Sequence, residues 1–133
     1  MSGEKGFTTS PEIKELLGKY ERGALGGIAR FDAIPASEAE TLLQLLPESQ
    51  REEKQNDAPS FATFVEWGKE FGKVWFHGYR VLPERSDERI SIEGFYAPRH
   101  IAQELIQRCR YKPDEYREIK HVTLGTVMRA WWD

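Results

Sequence analysis

His77, Glu93 and Arg80 are the residues whose types and spacing could do chemistry together. An imidazole and a carboxylate make an acid–base pair once a fold brings them together, the carboxylate raising the imidazole pKa or orienting its ring. A guanidinium beside them can clasp a carboxylate or phosphate in a two-point fork. His77 and Arg80 lie in one β-patterned run, Lys73–Leu82, and Glu93 lies in the next, Arg89–Ala97. A hairpin would set Glu93 across from His77. One reading is therefore a small enzyme with a pocket between sheet and helices, His77 and Glu93 as acid and base and Arg80 as anion clamp. The plainer reading is a strand histidine hydrogen-bonded to a carboxylate, and no sequence motif decides whether the chain is an enzyme.

Other candidates carry less. Arg80, Arg85 and Arg89 flank the turn of that hairpin, but Glu84, Asp87 and Glu88 stand among them, so a self-neutralised tip is expected. His100 and His121 have no second histidine or cysteine at ligand spacing, which leaves no metal site and no cofactor to propose. Cys109 falls on the apolar face of a predicted helix, as a buried inert thiol does. Gly23, Gly26 and Gly27 are followed by no Gly-Lys-Ser/Thr, so they make no phosphate loop.

The elements that must position these residues follow from periodicity. Ser10-Pro11 opens a helix with the stripe Ile13, Leu16, Leu17 and Tyr20, and the glycines at 23, 26 and 27 end it. Ile28–Ile34 reads as a strand. Ser37–Glu40 is a capping-box pattern opening a helix with Ala39, Leu42, Leu43 and Leu46 on its buried side. Glu48–Ala58 has no periodicity and reads as an exposed loop, a lid or a connector. Pro59-Ser60 opens a third helix with Phe61, Phe64, Val65 and Gly68 on one face and Trp67 off it; Pro98 opens a fourth with Ile101, Ala102, Leu105, Ile106 and Cys109 inward. In the last stretch, 116–132, Val122, Leu124, Thr126 and Met128 alternate as in a strand, whereas Val127, Met128, Trp131 and Trp132 would share a helix face; the β-branched residues favour strand.

After the first helix, this order gives strand, helix in two pieces, strand, strand, helix, strand. It predicts an α+β fold, a ferredoxin-like split β-α-β sandwich with helices on one face of an antiparallel sheet and an extra N-terminal helix. Residues 1–9 read as a flexible leader and 10–133 as a single domain, a length sufficient for a core.

Strand alternation then fixes faces. Ile90 and Ile92 should face the helices while Arg89, Ser91 and Glu93 face away. In one register Trp75, His77 and Tyr79 join Ser91, Glu93 and Phe95 on the open face; in the other, Trp75 and Tyr79 go inside. Either way aromatic surface is left on the face away from the helices, to be covered by the N-terminal helix, a second subunit or a ligand. With the Trp131-Trp132 pair, this predicts a non-enzymatic binding or interaction domain, a homodimer through Trp75, Tyr79, Phe95, Trp131 and Trp132, with a small-molecule ligand as the other partner.

Composition excludes some classes. A net charge of -3, with acids and bases interspersed, provides no field for nucleic acid, and Glu93 would sit beside any base-stacking platform. No apolar run approaches the roughly 18 residues of a membrane span. A lone cysteine and a polar N-terminus point to a cytoplasmic protein.

Overall fold

The computed structural model describes residues 6–133. Among them the chain forms four α-helices and six strands in one antiparallel sheet, an α+β fold. Ser10 caps α1 (Pro11–Gly18) by accepting the Ile13 N–H, and Pro11 takes the first helical position. The glycines that were expected only to end this helix instead build a hairpin. Gly26 and Gly27 adopt φ of 64° and 79°, the left-handed pair that joins β1 (Glu21–Leu25) to β2 (Ile28–Pro35).

The helix α2 (Ala36–Leu45) starts one residue before the expected Ser37 box and has no side-chain cap. Ser60 caps α3 (Phe61–Phe71) through the Thr63 N–H, and Gly72 ends it at φ 77°. The strands β3 (Trp75–Val81) and β4 (Arg89–Ala97) form the expected hairpin, followed by α4 (Arg99–Arg108). The final stretch is not helical but forms two strands, β5 (Glu115–His121) and β6 (Gly125–Trp131), joined by a turn at residues 122–124 that takes Val122 and Leu124 out of the expected strand alternation.

The sheet order is β1-β2-β3-β4-β6-β5. The four-stranded ferredoxin-like arrangement is therefore not the one observed, because the β1 strand and the β5–β6 hairpin each add pairing that periodicity did not resolve. All four helices contribute to one core on one face: Ile13, Leu16 and Leu17 from α1, Ala39 and Leu42 from α2, Phe61, Phe64 and Val65 from α3, and Ile101, Ala102 and Leu105 from α4. The helix α1 belongs to this layer and leaves the opposite face of the sheet uncovered. Phe64 lies at the centre, with its ring edge-on to Phe76, Phe95 and Trp132 at centroid distances of 5.6, 6.4 and 5.9 Å. Ile90 and Ile92 are buried in the same core, as their alternation required.

Of the leader, residues 1–5 lie outside the described residues. Phe7–Thr9 form a packed 3-10 turn in which the Glu88 carboxylate accepts from the Thr8 N–H and hydroxyl at 3.0 and 2.7 Å. No helix among the described residues is long and apolar enough to cross a membrane.

Candidate functional site at the concave face of the sheet

Two β-bulges shape the face away from the helices. On β2 an extra residue lies between Phe31 and Ile34, with Ala33 at φ 55°, and on β4 an extra residue is inserted where Gly94 and Ile92 pair with His77 and Gly78. Such insertions strengthen twist and re-aim side chains. The β4 bulge turns Glu93 to the open face yet sends both Ile92 and Phe95 into the helix-side core, so the expected place of Phe95 beside Ser91 and Glu93 is corrected. Gly94 is required at the bulge: a Cβ there would lie 2.0 Å from the Ala130 carbonyl oxygen and 2.5 Å from the His77 ring.

The sheet is strongly curled. Asp32 on β2 accepts a 2.6 Å hydrogen bond from His121 Nε2 at the end of β5, four strand positions away. In a flat sheet those strands would stand about 19 Å apart. The other Asp32 oxygen accepts from the Tyr96 hydroxyl at 2.6 Å. His121 Nδ1 accepts from the backbone N–H groups of Thr123 and Leu124, so its proton sits on Nε2, facing Asp32. Burial opposes the Asp32 charge, but hydrogen bonds from Tyr96 and His121 hold its pKa below the ordinary value. Around this clasp Ala33, Trp75, Tyr96, Ile119, Leu124 and Val127 form a second apolar cluster that closes one end of the curl.

The other end is open. There the curl holds a cleft of about 500 Å3, with Arg30, Arg89 and Arg129 reaching into it from three strands, Arg85 at its rim, and Tyr79, Trp131, Ile28 and Val81 among its walls. The Arg30 and Arg89 guanidiniums lie 5.6 and 5.5 Å from the Tyr79 ring centroid, and Arg129 lies 5.8 Å from that of Trp131. Each arginine also has an acidic neighbour: Glu93 for Arg30 at 3.1 Å, Asp87 and Glu53 for Arg89 at 3.0 and 3.6 Å, and Glu115 for Arg129 at 2.5 Å. Arg30 lines the cleft and its side chain remains 61% exposed.

Glu93 lines this cleft and His77 stands behind it, 3% exposed. His77 Nε2 is 3.2 Å from the Ala130 carbonyl oxygen, which can only accept; the imidazole proton therefore sits on Nε2. Nδ1 then presents a lone pair 3.8 Å from Glu93 Oε1, too far for a direct hydrogen bond. Burial pulls the His77 pKa down, partly offset by the Glu93 carboxylate, which keeps the ring neutral. Burial works against the Glu93 charge as well, yet the Arg30 guanidinium and a hydrogen bond from the Trp131 indole hold its pKa below the usual carboxylate range. The cleft thus carries a fixed carboxylate, Glu93, overlooked by guanidiniums, with the His77 ring buried behind it.

Comparison with protein-family models, curated proteins and solved structures finds no match. The residues themselves carry the functional argument.

Among the residues singled out by sequence, His77, Glu93, Tyr79 and Trp131 come together on the concave face, and Trp75 sits at its closed end. Arg80 is on the opposite face, forked onto Glu21 at 2.8 and 2.9 Å and donating to the Thr8 carbonyl, so it shares no site with His77 and Glu93. Phe95 and Trp132 are in the helix-side core, the Trp132 indole donating to the Tyr111 carbonyl. The hairpin tip is self-neutralised as expected, Arg85 forking Asp87 at 3.0 and 3.2 Å. Glu48–Ala58 is not merely a solvated connector: Gln55 accepts from the Tyr79 hydroxyl and Asn56 donates to the Asp133 carbonyl at the mouth of the cleft.

Sequence reasoning missed Arg30, Asp32, Tyr96, His121 and Arg129 as parts of this site. One signal was present: Arg30 and Asp32 are charged residues two apart in an otherwise apolar strand, which points both to a single polar face. Among the described residues no group of three His, Cys, Asp or Glu is arranged to hold a metal.

Proposed function

We propose that this chain is a non-enzymatic small-molecule-binding domain whose ligand occupies the open end of the curled sheet. Its anionic group would rest on Arg30, Arg89 and Arg129, and its apolar body against Trp131, Tyr79, Ile28 and Val81. The observation that carries this reading is the convergence of three arginines from three different strands on one concave, aromatic-walled cleft of about 500 Å3. That volume and mixture of apolar wall with few polar groups suit a small ligand, and guanidiniums are the side chains best shaped for carboxylate or phosphate.

The homodimer is the rival arrangement. Partly exposed Trp75 and Trp131 at the two ends of the concave face support it, since tryptophan anchors interfaces strongly. A concave face lined with charges favours the ligand, because a two-fold contact sets each patch on its own copy and would bring guanidiniums together.

The test is a titration of the 15N-labelled chain with inorganic phosphate and with 3-phenylpropionate, followed on the Trp131 indole N–H. Saturable shifts that weaken about tenfold in Arg30→Gln support the reading. No shift with either probe, together with a dimer in sedimentation that Trp131→Ala dissociates, would replace it with the homodimer.

A further inference from the structure

The apolar wall of the cleft does not end at its mouth. Residues directly opposite one another on antiparallel strands share a face. The pairing lines up one such row across four strands: Arg89 opposite Val81, Val81 opposite Ile28, and Ile28 opposite Leu25. Val81, which is buried, and Ile28 line the cleft. Beyond Ile28 the row enters a groove of about 410 Å3 along β1, bounded by Arg22, Gly23, Ala24 and Leu25. Ile28 and Arg30 line both hollows, so the groove adjoins the cleft. A single exposed leucine on a hairpin turn is ordinary. Leu25, 88% exposed, is instead the outer end of an aliphatic track that starts at the Arg89 guanidinium.

The direction of the track selects its occupant. An extended peptide added at the β1 edge would run parallel to the strands and be held by backbone groups. This row crosses the strands, and side chains alone form it. Three strand spacings separate Arg89 from Leu25, about 14 Å along the sheet, the span of an extended alkyl chain of about eleven carbons.

We infer that the ligand is a long-chain carboxylate, a single-chain amphiphile whose carboxylate rests on Arg30 and Arg89 and whose alkyl chain leaves the cleft over Ile28 to end on Leu25. This inference rests on the binding reading above and names the ligand class. Arg30 stands at the junction and holds the charged end, while Leu25 sets the chain length that is recognised.

Calorimetric titration of the full chain with hexanoate, octanoate, decanoate and dodecanoate, each below its micellar concentration, separates the two terms. Affinity should rise about two- to fourfold per added methylene as far as decanoate, about fourfold being the value of full burial. Leu25→Ser should lower decanoate affinity at least about tenfold and hexanoate affinity, whose chain stops short of residue 25, less than about twofold. Arg30→Gln should weaken every member of the series alike. Equal affinity for hexanoate and decanoate would overturn the inference, with a ligand body that ends inside the cleft. An unchanged series in Leu25→Ser would overturn it too, since the chain would lie elsewhere. Decanol bound as tightly as decanoate would overturn it as well, leaving the track without a charged end. If the four carboxylates fail while 3-phenylpropionate binds, the inference falls alone; if 3-phenylpropionate and phosphate fail too, the binding reading falls with it.

Discussion

Asp32 and His121 share a 2.6 Å hydrogen bond although 89 residues and four strand positions separate them. That bond, with the one from Tyr96 to the same carboxylate, ties β2 to β4 and to the β5–β6 turn across the hollow of the sheet. The curl that creates the cleft is therefore maintained from its closed end.

Asp32→Ala should destabilise the fold by about 2–4 kcal/mol, since it strands a buried hydroxyl and a buried imidazole at once. Denaturant unfolding would measure it. A loss below about 0.5 kcal/mol would mean that the apolar cluster alone holds the curl.

Gly94→Ala places a methyl group 2.0 Å from the Ala130 carbonyl oxygen and against the His77 ring. Backbone cannot yield cheaply there, so a loss of about 3 kcal/mol is expected, as for severe overpacking. A variant as stable as the wild type would show that the β4 bulge relaxes without cost.

Stability should also fall as pH is lowered through 6.5. The folded chain holds the His77 pKa below its ordinary 6.5, so beneath that value the unfolded chain binds a proton that the folded chain does not. The loss begins near 6.5 and ends at the lower folded value. His77→Gln should flatten the curve in that window, leaving the carboxylate-driven loss at more acidic pH. An unchanged pH profile in His77→Gln would show that the ring is not buried neutral.

Ile92→Ala should cost about 2–5 kcal/mol, the range for emptying a core site, while the affinity of the cleft for 3-phenylpropionate stays within a few-fold. A large affinity change would mean that the helix-side core and the concave face are not separate layers.

The helices were legible because their signals are local: Ser10 and Ser60 sit one residue before an amphipathic stripe, and Gly72 lies just past the end of one. The Ile90–Ile92 alternation gave the register of β4 for the same reason. Phe95 was misplaced because a bulge changes the parity of a strand, and the Glu93-Gly94 sequence does not announce one. The clasp was hidden more deeply, since nothing near Asp32 specifies His121; only the curl brings them together. Trp131-Trp132 looked like a surface excess because it was read as a pair. On a strand, neighbours face opposite ways, and the two rings serve different layers of the protein.

The segment carrying Gln55 and Asn56 has another role besides bordering the cleft. The pairing of β4 with β6 begins only at Gly94, so the first half of β4 has no strand on that side, and the ties from Glu53 to Arg89 and from Asn56 to Asp133 lie along the gap. Bare strand edges recruit strands from other molecules. A chain with this loop shortened would keep its core intact, yet expose a backbone template beside a hydrophobic sheet, and its failure would take the form of self-association into fibres rather than unfolding.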